Sequence, residues 1–90
     1  MQKAILTVIG RDKPGIIKAV SSKLFEYNIN ILDITQTVID GYFTMVLITD
    51  ITVLGDNFDN FREDMIALGK KIDQRITVQH EEIFTAMHGI

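Results

Sequence analysis

The chain has no cysteine, which excludes disulfides, thiolate metal sites and thiol nucleophiles together and leaves packing alone to hold the fold. It has a single proline, Pro14, and no run of like charges. Such scarcity beside 47 % apolar residues describes an ordered globular protein. Positive charge is also short, with a net charge of −3, whereas a nucleic-acid footprint needs a basic face. No apolar stretch approaches a membrane span, and the residues after Met1-Gln2-Lys3 are too few for a secretory core and lack a small-residue cleavage site. A soluble, cytoplasmic protein is the expectation, built as one domain, since 90 residues suffice for one core and little more.

What is present is an ordered series of patterns. Residues 3–9 are apolar at nearly every position, which predicts a strand buried on both faces and central in a sheet. The run Val8-Ile9-Gly10-Arg11-Asp12-Lys13-Pro14-Gly15-Ile16-Ile17 then breaks into a glycine-bounded polar loop and opens a helix. Ile17, Val20, Leu24 and Tyr27 recur at helical spacing, so residues 14–27 read as an amphipathic helix. Pro14 suits the first helical position, where its missing N–H would have no partner. Lys13 is then the expected cap residue, with Asp12 accepting from the Gly15 N–H. Residues 29–39 form a second strand, and Asp40-Gly41 is a hairpin signal leading into a third over 42–49. After a loop over 50–57, with a capping cluster at Asp56-Asn57, a stripe of Phe58, Phe61, Met65 and Leu68 makes a second helix that Gly69 ends. Ile72, Gln74, Ile76 and Val78 alternate with Asp73, Arg75, Thr77 and Gln79 as a last strand with one solvated face. The tail, 81–90, sets Ile83, Phe84 and Met87 on one helical side.

This order predicts an α+β fold, a ferredoxin-like βαββαβ sandwich: a four-stranded antiparallel sheet with two helices on one face, plus a short C-terminal helix. In that topology the second strand is an edge. It carries only Asp33 as a charge and has no lysine or proline to discourage pairing. A homodimer joined through Ile29, Ile31, Asp33, Thr35, Gln36 and Thr37 is therefore expected, with cover by the tail as the alternative. Both faces of the third strand are apolar, so the face away from the helices also needs a cover. The tail helix, its equivalent from a second subunit, or a sheet-to-sheet tetramer would each supply one.

The start of the first helix beside a strand end suits a carboxylate or another small anion, because its first N–H groups lack partners and carry partial positive charge. Other chemistries fail on their residues. Gly10 to Gly15 has P-loop glycine spacing, but Ile16-Ile17 replaces the phosphate lysine and the hydroxyl. The third strand begins acidic and lacks the stacking aromatics of an RNA-recognition strand. His80 and His88 match no metal spacing, and Ser21-Ser22 has no nearby base in sequence. Asp33 could be a functional carboxylate, though an edge-strand charge facing water explains it about as well, and Glu81-Glu82 are what a helix start favours. No metal, cofactor or catalytic set is expected. An acylphosphatase-like hydrolase shares the size and topology, yet Arg11 is the sole phosphate-holding candidate and Pro14 removes a loop donor.

Gly10-Arg11-Asp12-Lys13-Pro14-Gly15-Ile16, followed after one helix by Asn30-Ile31, resembles an ACT domain over residues 5–79, leaving 80–90 as a helical tail. Ile34-Thr35-Gln36-Thr37-Val38 and Ile83-Phe84-Thr85-Ala86-Met87-His88 further resemble small stand-alone ACT proteins and one ACT unit of the glycine-cleavage repressor. The resemblance implies a side-by-side dimer holding a small ligand, often an amino acid, between the first loop of one subunit and the second strand of its neighbour. It assigns ligand binding to Gly10, Arg11, Asp12, Lys13, Pro14, Gly15, Ile16, Asn30 and Ile31. Against the serine-binding ACT domain of phosphoglycerate dehydrogenase, Asn30 is retained, while Gly10 replaces a histidine and Asp12 an asparagine. Asp12 would repel a ligand carboxylate but could receive an ammonium group. The Gly15 and Ile16 N–H groups would then hold the carboxylate, and Asp12 and Asn30 of opposite subunits the ammonium. A plain helix cap and a turn-closing asparagine are the alternative roles. The function implied is a non-enzymatic regulatory domain that senses a metabolite and reports to a protein partner, with a ligand-free interaction module as its competitor.

Overall fold

The structure, a computed structural model, describes residues 1–87. Its elements are β1 (Lys3–Arg11), α1 (Ile16–Glu26), β2 (Asn30–Ile39), β3 (Tyr42–Asp50), a short 3-10 segment (Thr52–Asn57), α2 (Phe58–Lys71), β4 (Gln74–His80) and α3 (Glu81–Met87). The strands make one sheet in the order β2-β3-β1-β4, with every neighbouring pair antiparallel. This is the ferredoxin-like βαββαβ arrangement with an added C-terminal helix. No helix among the described residues is long and apolar enough to cross a membrane.

β1 is central because Ala4, Leu6 and Val8 project together into the layer between sheet and helices, where they meet Val20 and Leu24 of α1 and Phe61 and Met65 of α2 in one buried cluster. On the opposite face Ile5 is buried, but Ile9 is 47 % exposed, so two-sided burial holds for the first part of the strand only. The strand also continues through Gly10 and Arg11, which pair with Phe43 and Tyr42 of β3.

α1 begins later than expected. Gly15 is its cap residue with φ 87°, in the left-handed region, and no side chain caps the helix. A residue at that φ cannot sit inside a right-handed helix, so Pro14 and Gly15 form a turn ahead of it and Asp12 is not its cap. The later start also changes which isoleucine faces the core: Ile16 is buried and Ile17 is 40 % exposed. The helix closes where Asn28 takes φ 57° and the Ile29 N–H donates to the Leu24 carbonyl at 3.0 Å.

Asp40 and Gly41, at φ 50° and 80°, form the expected tight hairpin between β2 and β3. Gly69 does not end α2, which continues to Lys71. Its lack of a side chain serves packing, since a Cβ there would lie 2.6 Å from the Gln74 carbonyl of β4. The chain turns instead at Asp73, with φ 59°. Asn57 caps α2 without a side-chain bond to its backbone and accepts from Asn60 Nδ2 at 2.6 Å.

The two long helices are tied at Tyr27, whose ring meets Phe61 edge-on at 5.1 Å and whose hydroxyl donates to Asp64. That bond to a carboxylate holds the phenol pKa up to about 12, against the ordinary 10.0. A raised folded pKa means that the stabilisation is fully present below the unfolded value and is lost as pH rises through the folded one. Ultraviolet titration of the folded protein is expected to show one tyrosine ionising near pH 12, and Asp64→Asn to bring its midpoint back toward 10.0.

Candidate functional site

The segment from Gly10 to Ile16 lies at the sheet end where β1 finishes and the β2–β3 hairpin turns. Pairing of Arg11 with Tyr42 carries β1 to the hairpin tip, and the Asp12 N–H donates to the Gly41 carbonyl at 2.9 Å. Asp12 is thus held through its backbone, and its side chain stays exposed. The Arg11 guanidinium lies over the Tyr42 ring, 5.0 Å from its centre. The Ala19 N–H reaches back to the Gly15 carbonyl at 3.0 Å as the first bond of the α1 ladder. The N–H groups of Ile16, Ile17 and Lys18 therefore precede that ladder, and no acidic residue occupies the first turn. The helix start that the sequence placed at Pro14 thus lies at Ile16.

Two residues absent from the expected set hold the loop in place. Lys13 Nζ meets Asp73 Oδ2 at 3.1 Å, and the buried Gln74 donates from Nε2 to the Arg11 carbonyl at 2.7 Å. Gln74 fits because position 10 has no side chain: a Cβ there would lie 2.7 Å from Gln74 Oε1 and 2.8 Å from the Asp73 carbonyl. Oε1 is buried with no hydrogen-bond partner among the described residues. The sequence carried one signal for this, a glutamine standing in the buried phase of an alternating strand. Its partner, however, lies 63 residues away in the sequence, on the neighbouring strand β1.

Asn30 and Ile31 lie elsewhere. Asn30 pairs with Asp50, which pairs with Lys3. Asn30 is therefore at the opposite end of the sheet from Asp12, roughly 25 Å away along the strand direction. One protomer does not bring the two halves of the expected ligand set together.

The edge on which Asn30 sits is open. All ten residues of β2 are exposed, including Ile31, Asp33, Thr35, Gln36 and Thr37 of the expected interface. Ile29 is the exception in that set: it precedes the strand, is only 8 % exposed and belongs to the core, so it is not available to a partner. A bulge at Leu32 separates Ile31 from Asp33, and the Asp33 carboxylate accepts from the Ile34 N–H at 2.8 Å. By register with Thr49, Leu47 and Phe43, the exposed Ile31, Ile34 and Val38 lie on the helix side of the sheet. On α1, Ile17 and Phe25 leave a second uncovered apolar stripe, Phe25 being 80 % exposed. α2 packs against β4 and α1 against α2, which leaves α1 on the β2 side of the sheet.

Of the histidines, His80 is half-buried and stacks on Phe58 at 4.0 Å, and His88 lies outside the described residues. Among the described residues no three His, Cys, Asp or Glu side chains gather as a metal site.

Comparison with known proteins adds the following. The ACT domain family profile matches residues 2–79. A UPF0237 protein of Listeria innocua is 48 % identical over 86 residues, covering 96 % of this chain and 97 % of the relative. Among solved structures, an ACT domain protein from Streptococcus pneumoniae superposes with TM-score 0.81 at 42 % identity, covering 92 % of this chain and 93 % of that one. A protein assigned as a glycine cleavage system transcriptional repressor shares the fold, with TM-score 0.75 at 22 % identity over 88 % of this chain and 45 % of its own.

The Gly10–Gln74 fit is open to a double-mutant cycle. Gly10→Ala forces Gln74 off the Arg11 carbonyl and is expected to cost about 1–3 kcal/mol in chemical denaturation. Because Gln74→Ala removes the side-chain obstacle and leaves only the Asp73 carbonyl, the two substitutions together are expected to cost less than their sum by at least about 0.5 kcal/mol. Strict additivity would mean that the two residues do not compete for that space.

Proposed function

Because this chain belongs to the ACT domain family, we propose that it is a regulatory, non-catalytic module that binds an amino acid between two copies of itself and reports that state to another protein. The observation that carries the reading is the separation of the site's halves. The anion-suited start of α1 and Asp12 are at one end of the sheet and Asn30 at the other, so a complete site needs a second chain.

The open β2 edge supports the same arrangement. Two copies pairing antiparallel through β2 about a two-fold axis set the beginning of one β2 beside the end of the other. Asn30 of the partner subunit then comes to the hairpin end, where Gly41 holds Asp12. The same axis turns the Ile17–Phe25 stripe of α1 and the helix-side Ile31, Ile34 and Val38 toward their own equivalents. A strand edge and an apolar helix face pointing in one direction are together matched by a copy of the same surface. In this pose the Gly15 and Ile16 N–H groups hold the carboxylate of the ligand, while Asp12 and the partner's Asn30 take its ammonium group. A hydrolytic role is disfavoured because Arg11, the residue it would need on a phosphate, lies over the Tyr42 ring.

Thermal unfolding against the twenty amino acids and common anions tests ligand binding. At a hundred times its dissociation constant a ligand adds about 2.7 kcal/mol, which raises the midpoint of a domain this size by roughly 10 °C. A shift confined to one or two amino acids, lost in Asn30→Ala and altered in selectivity by Asp12→Asn, is the expected result. A flat panel would leave a ligand-free interaction module as the better reading. Light scattering should find a dimer, and Ile34→Lys, which places like charges across the β2 edge, should give a folded monomer that has lost the ligand shift. A monomeric wild-type chain would overturn the shared site.

A further inference from the structure

The sheet has two edges, and their chemistry differs. β2 is long and apolar, while β4 is short and lies beside positive charge. Residues 74–77 of β4 border a groove of about 620 Å³ whose other wall is the end of α2, at Ile66, Gly69 and Lys70. As the last strand in the sheet order, β4 has a neighbour on one side only among the described residues, so its outward backbone groups along the groove face no strand.

The chain as a whole is acidic, at −3, yet this groove is not. Lys70 and Arg75 both line it and are exposed, and neither is ion-paired among the described residues. Asp73, the one carboxylate in the lining, is already bound to Lys13. The half-buried Ile66 gives the groove its accessible apolar surface, with the core residue Ile76 beneath. A second copy of this edge is a poor match, because Gln74–His80 contains no carboxylate to set against Lys70 and Arg75.

We propose that the β4 edge and its groove dock an extended, carboxylate-bearing segment of another protein, added as a strand to β4 with its acidic side chains at Lys70 and Arg75 and an apolar one against Ile66. Main-chain bonds of this kind give affinity irrespective of sequence, and the pockets beside the edge give selectivity. The proposal rests on the reading of the chain as a module that reports to a partner, and it names the surface that does so. That surface is wired to the ligand corner: Asp73 and Gln74 line the groove and also hold Lys13 and the Arg11 carbonyl. A strand seated on β4 constrains the same two residues that position the loop. By linkage, occupation of either site then changes affinity at the other by the same factor.

The test uses the whole chain and an array of fluorescent eight-residue peptides of alternating Val and Thr carrying two Glu, two Lys or neither. Anisotropy should show the Glu peptides binding at least tenfold more tightly than the Lys peptides, and amide hydrogen exchange should show new protection in residues 74–77. Lys70→Glu/Arg75→Glu, both at exposed positions, should reverse the charge preference while leaving any amino-acid thermal shift in place. Equal affinity for Glu and Lys peptides, no binding by the Glu peptides, or protection confined to β2 would each overturn the proposal. Loss of the peptides with retention of the amino-acid shift sinks the docking surface alone. Peptide binding without any amino-acid shift sinks the ligand-binding reading and leaves the groove standing.

Discussion

The geometry of the ligand corner depends on a side chain that is missing. Position 10 carries no Cβ, and the space is filled by Gln74 arriving from a strand at the far end of the sequence. Filled in that way, it puts a buried amide donor on the Arg11 carbonyl, so β1 keeps its pairing to the tip of the hairpin before the chain turns. The turn then has little freedom. The Asp12 N–H is taken by Gly41, Lys13 is drawn to Asp73, and Gly15 must cross into positive φ for the chain to enter α1. Each step leaves the start of the helix without a side-chain cap. Those donors stay open because the cap residue is Gly15, which has no side chain to offer them.

The cost of this arrangement is visible at Gln74 Oε1, which is buried without a donor among the described residues. An unpaired amide oxygen in such a place costs on the order of 1–3 kcal/mol. A small domain does not absorb that easily, since total stability is typically only about 5–15 kcal/mol. A leucine at the same position would fill the space without the penalty, but it could not hold the Arg11 carbonyl. Precision at the loop is the compensating gain.

Much of this fold is readable along the chain. The alternation in β4, the near-continuous apolar run of β1 and the Asp40-Gly41 turn are local patterns, and each became the element that its period implied. The open β2 edge was legible for the same reason, from the shortage of charge in residues 29–39. What escaped the sequence was non-local or conformational. Gly69 reads as a helix stop, but its role is close approach to β4, which only the packed fold defines. Pro14 reads as a helix start until the positive φ at Gly15 moves that start to Ile16, and the same shift turns Ile17 outward. At the site, the loop and Asn30 were legible as residue types. The separation of Asn30 from Asp12 required the strand register, and Asp73 and Gln74 required the tertiary contact.

If the two copies pair as proposed, assembly and sensing become one equilibrium. A ligand that touches Asp12 of one subunit and Asn30 of the other binds the dimer and not the monomer, so it must strengthen the dimer by the factor by which dimerisation strengthens ligand binding. The groove at β4 lies at the opposite edge of each sheet, clear of the pairing surface. Two-fold symmetry therefore places two such grooves at the outer margins of a continuous sheet. A partner presenting two acidic segments would engage both through one assembled dimer, with the gain in apparent affinity that a second, tethered contact brings. The monomer offers a single groove and no complete ligand site. Coupling of metabolite level to partner docking then needs no large conformational change, because the population of dimers carries the signal.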